Sequence, residues 1–190
     1  MKTILTIAAL AIGLSIPARA QTVPTYTTLT ASGTTTAVVY FATSPFQQVR
    51  IVSAFATSDL STGKMTFYTG VTPMTVAYTN AAGTSVGVAA TNGFTAGTWV
   101  LIETAAGVIT NGIIASFGSS TNIVLGQAVC ATKPGDQIYT LSSPVTLAVG
   151  AASVTFTGDA LYVGNRGRPV MVRVNGTSAC SLDTITGRYE

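Results

Sequence analysis

Beyond residue 20, the apolar residues of this chain come in short runs, each cut within a few positions by Gly, Pro, Asn, Ser or Thr. A strand turns alternate residues to one face and is complete in about five residues, whereas a helix needs apolar residues at 3.6-residue spacing over roughly a dozen. No window sustains the helical spacing, and the Ala-rich pieces around Ala81 and Ala105 are too short and too broken by Gly to hold a helix. Period-two patterns are plain instead. Val170, Val172 and Val174 alternate with Met171 and Arg173, Met65 and Phe67 with Lys64, Thr66 and Tyr68, and Val49, Ile51 and Phe55 share one face. Further strands are expected over 37–41, 85–89, 99–103, 108–117, 122–125, 137–141, 145–156, 160–163 and 178–182. Threonine outnumbers all charged residues together, a usage that suits pleated sheets. The chain is therefore expected to be all-β and antiparallel.

The first 20 residues follow a different logic. Met1, Lys2 and Thr3 precede an apolar run over 4–16, and Pro17-Ala18-Arg19-Ala20 leads into Gln21. A short positive start, an apolar stretch too brief to span a bilayer and small residues at Ala18 and Ala20 are the marks of a cleaved secretory signal peptide, with Gln21 as the new N-terminus. The protein is thus expected to be secreted or held at the cell surface, with no membrane span after cleavage. Residues 21–36, bounded by Gln21 and Thr36, read as an extended Thr-rich lead. Pro73 and Ser143-Pro144 bracket a middle block, so 37–72 with 142–190 are expected to form a discontinuous antiparallel β-sandwich. Within it, 73–141 would be an inserted small β-barrel or sandwich.

Charge excludes some partners. Loss of Lys2 and Arg19 with the leader leaves seven basic residues against six acidic ones, and only Arg166, Arg168 and Arg173 lie near one another. Phosphate neutralisation needs clustered Lys and Arg, so no nucleic-acid role is expected. Cys130 and Cys180, in an oxidising compartment, are expected to form a disulfide; the alternative is two separate buried thiols acting as small hydrophobes.

Within the middle block, Gly83-Thr84-Ser85-Val86 is followed by Asn92-Gly93-Phe94-Thr95-Ala96-Gly97-Thr98-Trp99-Val100-Leu101-Ile102 and then by Pro134-Gly135-Asp136-Gln137-Ile138-Tyr139. This order over about 83–141 resembles a β-module recurrent in phage virion-associated and bacterial surface proteins. The resemblance implies a structural or interaction module and carries no catalytic residue with it.

The chain has no histidine, which excludes Ser-His-Asp and Cys-His catalysis and an ordinary zinc site. Asp59, Asp136 and Asp159 stand in turn contexts, where Asp commonly bonds nearby backbone, and Glu103 ends an apolar run as a solvated strand-end charge or a buried anchor. No enzyme activity and no cofactor are expected. The loop Gly164-Asn165-Arg166-Gly167-Arg168-Pro169 concentrates positive charge and flexible backbone, so Arg166 and Arg168 are candidate contacts for an anion or glycan, against the plainer reading of a charged hairpin tip. Trp99 with Tyr26, Tyr40, Tyr68, Tyr78, Tyr139 and Tyr162 could make a sugar-stacking platform, but spread along strands they read as core edges and cross-strand partners. The function expected is a non-enzymatic structural protein, a β building block of an extracellular or virion-like assembly. It would pair with itself or with another surface protein through strands, Gln21 to Thr36 being the donor stretch. The alternative is a carbohydrate-binding module or adhesin.

Overall fold

The computed structural model of the chain describes residues 24–190, apart from the side chains of 72, 143 and 144. The leader and Gln21 lie outside the described residues. Twelve strands are found there and no helix: β1 Thr25–Gly33, β2 Thr36–Phe41, β3 Val49–Ser58, β4 Lys64–Thr75, β5 Gly83–Gly87, β6 Trp99–Glu103, β7 Ile109–Ser119, β8 Asn122–Val129, β9 Gln137–Ala148, β10 Ser153–Val163, β11 Val170–Asn175 and β12 Cys180–Tyr189. Accordingly, no helix among the described residues is long and apolar enough to cross a membrane. All pairings are antiparallel. Four strands form one sheet in the order β1-β12-β3-β10, and eight form another in the order β2-β11-β4-β9-β6-β7-β8-β5.

Alternation decides what each strand buries. Val170, Val172 and Val174 of β11, Met65 and Phe67 of β4 and Ala37, Val39 and Phe41 of β2 face Val49, Ile51, Leu182 and Ile185 of the four-stranded sheet. In this first core the rings of Phe67 and Tyr162 stack, centroids 5.5 Å and planes 16° apart. A second core, with Val86, Val100, Ile102, Ile114, Ile123 and Ile138 among its members, is drawn wholly from between Val76 and Ile138.

β4 and β9 pass from one core to the other. Pro73 lies inside β4 and Pro144 inside β9, rather than at strand ends. The ladder between these strands slips twice, between Phe67 and Thr69 and between Gly70 and Pro73. A proline has no N–H for a ladder and is accepted where the register is already broken.

The lead is not a spare strand. Thr25–Gly33 is β1, bonded to β12 from Thr25↔Tyr189 to Gly33↔Cys180. Leu29 and Ala31 pack on the first core, and Thr36 opens β2. Thr-rich alternation with only two apolar positions hides this strand from a hydrophobicity reading, because its partner is more than 140 residues away.

The two cysteines are unpaired. Cys180 is buried in the first core, its thiol donating to the Gly33 carbonyl at 3.5 Å, and burial pushes that thiol above its ordinary pKa. Cys130, just after β8, rests against the Thr110 hydroxyl at 3.4 Å. Cys180 opens β12 of the four-stranded sheet and Cys130 follows β8 of the eight-stranded one, and this separation overturns the disulfide expectation; the thiols are used as small packing groups. One thiol per chain, Cys130, is expected to react promptly with a maleimide in the native protein, with Cys180 following only on unfolding. Mass spectrometry of the labelled chain reads the result, and native protein with no reactive thiol would contradict it.

Asp59 holds the β11–β12 turn. It accepts the Ser178 hydroxyl at 2.6 Å and the N–H groups of Thr177, Ser178 and Ala179 at 2.6, 2.7 and 3.1 Å. These donors, the Ser178 hydroxyl foremost, hold its carboxyl well below the usual carboxylate range. Asp136 does similar work inside the protein: only 1% exposed, it accepts the N–H of Ala105 at 2.9 Å and of Lys133 at 2.8 Å. Its turn, Lys133-Pro134-Gly135-Asp136, closes with Asp136 N–H donating to Lys133 O at 3.2 Å, and Gly135 sits at φ +99°, where a side chain would be strained.

Candidate functional site

The eight-stranded sheet is strongly curled. Tyr40 on β2 donates its hydroxyl to Asn111 Oδ1 on β7, although five strand steps separate them, about 24 Å in a flat sheet. Arg173 of β11 likewise lies 5.1 Å over the Trp99 ring of β6. The face opposite the two cores is therefore the inside of a trough. Tyr68, Leu101, Tyr139, Leu141 and Met171 are buried there, with Tyr40, Trp99, Val38 and Ile109 packed against them. Curling brings Trp99, Tyr40, Tyr68 and Tyr139 together from four strands. Tyr162 instead belongs to the first core, while Tyr26 and Tyr78 stand exposed. Burial raises the Tyr40 hydroxyl to a pKa of about 12.

Tyr139 is shared between the trough and a cleft at its end. The cleft, about 430 Å³, is bounded by Thr43 and Pro45 of the β2–β3 loop, by Arg166, Gly167 and Arg168 of the β10–β11 loop, by Pro73 of β4 and by Gln137 and Tyr139 of β9. Its loops are pinned. Gly164 N–H donates to Val49 O at 2.9 Å, Asn165 N–H to Thr69 Oγ1 at 2.9 Å and Gly167 N–H to Gln47 O at 2.6 Å. Gly167 has φ +66° and a Cβ there would meet Pro45 O at 2.5 Å, so both conformation and closeness demand glycine between the two arginines.

Neither Arg166 nor Arg168 forms an ion pair among the described residues; the pairs found there all involve Glu190. Arg166 donates only to the Phe46 carbonyl, at 3.4 Å. The Thr43 hydroxyl is buried without a hydrogen-bond partner. Glu103 stands half-buried behind the cleft and accepts the Tyr139 hydroxyl at 3.4 Å, and burial pushes its carboxyl above the ordinary range. Burial first, then Glu103, raises the Tyr139 hydroxyl, with Arg168 acting in the opposite direction.

Arg173, near the other two arginines in sequence, is remote in role: it crosses the trough to Trp99 and donates to Thr36 Oγ1 at 3.2 Å. A larger hollow of about 640 Å³ opens beside Cys130, Thr132 and Val108. Asp136 there is spent on Ala105 and Lys133, and Asn80 Oδ1 on the Gly87 N–H, while the Thr132 hydroxyl is buried without a partner. Among the described residues no three Cys, Asp or Glu side chains converge as metal ligands would.

The sequence reading found the two arginines, and named Tyr139 only among the scattered aromatics, but not the grouping of Thr43, Pro45, Pro73, Gln137 and Tyr139 around them. No local signal marks these five, since they come from three segments joined only by the β4–β9 ladder and the loop contacts.

The fold and site together define an all-β protein of two sheets with a cation-rimmed cleft. In comparison with known proteins, the chain matches no family model, no curated protein and no solved structure.

Proposed function

We propose that this chain is an exported, non-enzymatic structural protein, a β building block that joins copies of itself in an extracellular assembly by strand pairing. The observation that carries the reading is the outer edge of β1. Each sheet edge offers unpaired N–H and C=O groups, and monomeric proteins blunt such edges with charge, proline, bulges or brevity. On the opposite edge of the same sheet, β10 loses register between Thr157 and Tyr162, with Asp159 in the irregular part. In the long sheet, β2 has six residues and β5 five. β1 runs nine residues, Thr-Tyr-Thr-Thr-Leu-Thr-Ala-Ser-Gly, with neither charge nor proline and one slip at Thr30. Antiparallel pairing of two β1 edges would extend the four-stranded sheet across both copies. The resemblance of residues 83–141 to modules of virion and surface proteins points the same way, and the lack of histidine fits a passive role.

Deleting the lead would strip Leu29 and Ala31 from the core, so the edge must be blocked with the strand in place. Thr30, exposed and between the paired Leu29 and Ala31, takes proline there; Thr28→Lys adds a charge. Light scattering of the mature chain is expected to give a dimer or larger species, and the Thr28→Lys/Thr30→Pro variant a monomer. A monomeric parent at all concentrations up to about 100 μM, well above the range of specific assembly, would end the reading.

A further inference from the structure

We infer that the cleft at Arg166 and Arg168 binds an acidic sugar, a pyranose carrying a carboxylate. This is independent of strand pairing, since β1 lines no part of the cleft. Two guanidinium groups without a carboxylate partner stand on one wall, and a planar guanidinium fork matches a carboxylate with two parallel N–H···O bonds. The loop backbone at Gly167 is pinned, so the ordering left to binding is that of the two side chains. Pro45, packed against Gly167 of the arginine loop, Pro73 and the largely buried Tyr139 complete the lining, and the two proline rings offer apolar faces suited to the C–H side of a sugar ring. Gln137, whose Nε2 donates to Gly135 O at 3.1 Å, leaves its amide oxygen to accept from a ring hydroxyl, and the Thr43 side chain lines the cleft with its Oγ1 buried. The volume of about 430 Å³ lies within the range of small-ligand sites, about 300–1,000 Å³. Glu103, the acid beyond Tyr139, is engaged by the Tyr139 hydroxyl and holds it as part of the cleft wall.

The test is calorimetric titration of the full mature chain with a galacturonate trimer, the neutral galactose trimer and inorganic sulfate. The acidic trimer is expected to bind, more weakly as salt rises, and the neutral trimer and sulfate at least about tenfold less well. Arg166→Ala/Arg168→Ala should weaken the acidic trimer about tenfold or more, Arg166→Lys/Arg168→Lys should restore only part of it, and Arg50→Ala, whose side chain serves Glu190, should leave it unchanged. Equal binding of the neutral trimer, sulfate binding as tightly as the acidic trimer, or undiminished binding by the double alanine variant would overturn the inference. The two arginine variants lie on an exposed loop, and circular dichroism of each separates lost binding from lost fold.

Discussion

Phe67→Ala is expected to destabilise the protein by about 3–5 kcal/mol, a large part of the total stability of a chain this size. Phe67 is fully buried where β4 faces the four-stranded sheet, and its ring stacks on Tyr162. Truncation removes the transfer energy of the ring, the stacking and the contacts of every neighbour that cannot collapse into the space. The fall in the denaturation midpoint should come without a change in slope, since the surface exposed on unfolding is nearly the same. Thr66→Ala, next along the strand but on its other face, should cost less than about 1 kcal/mol, as the Thr66–Thr146 hydroxyl contact is long and exposed. Equal effects of the two substitutions would contradict the two-sheet core.

Asp136→Ala should cost about 2–5 kcal/mol by a different route. The carboxylate is buried and takes two backbone N–H groups, of Ala105 and Lys133, one on each oxygen. Removing it strips two N–H groups at a part-buried site of their acceptor, each bond worth roughly 1–3 kcal/mol. Asp136→Asn keeps one acceptor and turns an N–H toward the other donor, so a loss near half that of alanine is expected. Urea denaturation of the three proteins measures this ladder of stabilities. An alanine variant as stable as the parent would mean that the carboxylate anchors nothing.

The all-β character was legible because alternation is local. Whether Val170, Val172 and Val174 share a face depends on backbone geometry alone, and the structure buries all three on the first core. The turn at Pro134-Gly135 was legible for the same reason, since a positive φ asks for glycine within four residues. Alternation says that a face is buried but not which strand lies beside it. Thus Pro73 and Pro144, read as borders, turned out to lie within β4 and β9 at or near breaks in their shared register. The Thr-rich lead became β1 because its ladder partner is β12, and Cys130 and Cys180 stayed apart because β8, which Cys130 follows, and β12, which Cys180 opens, joined different sheets. Arg166 and Arg168 could be picked out from their own loop, whereas the cleft around them exists only because β4, β9 and the β2–β3 loop meet there. Nor does any residue spacing announce the trough: Tyr40 reaches Asn111 only once the sheet between them has curled, and curvature is the sum of twists and register slips over six strands. Local patterns set each strand and turn of this protein, and the pairing of strands distant in sequence, which maximises burial over the whole chain, decided everything that joins them.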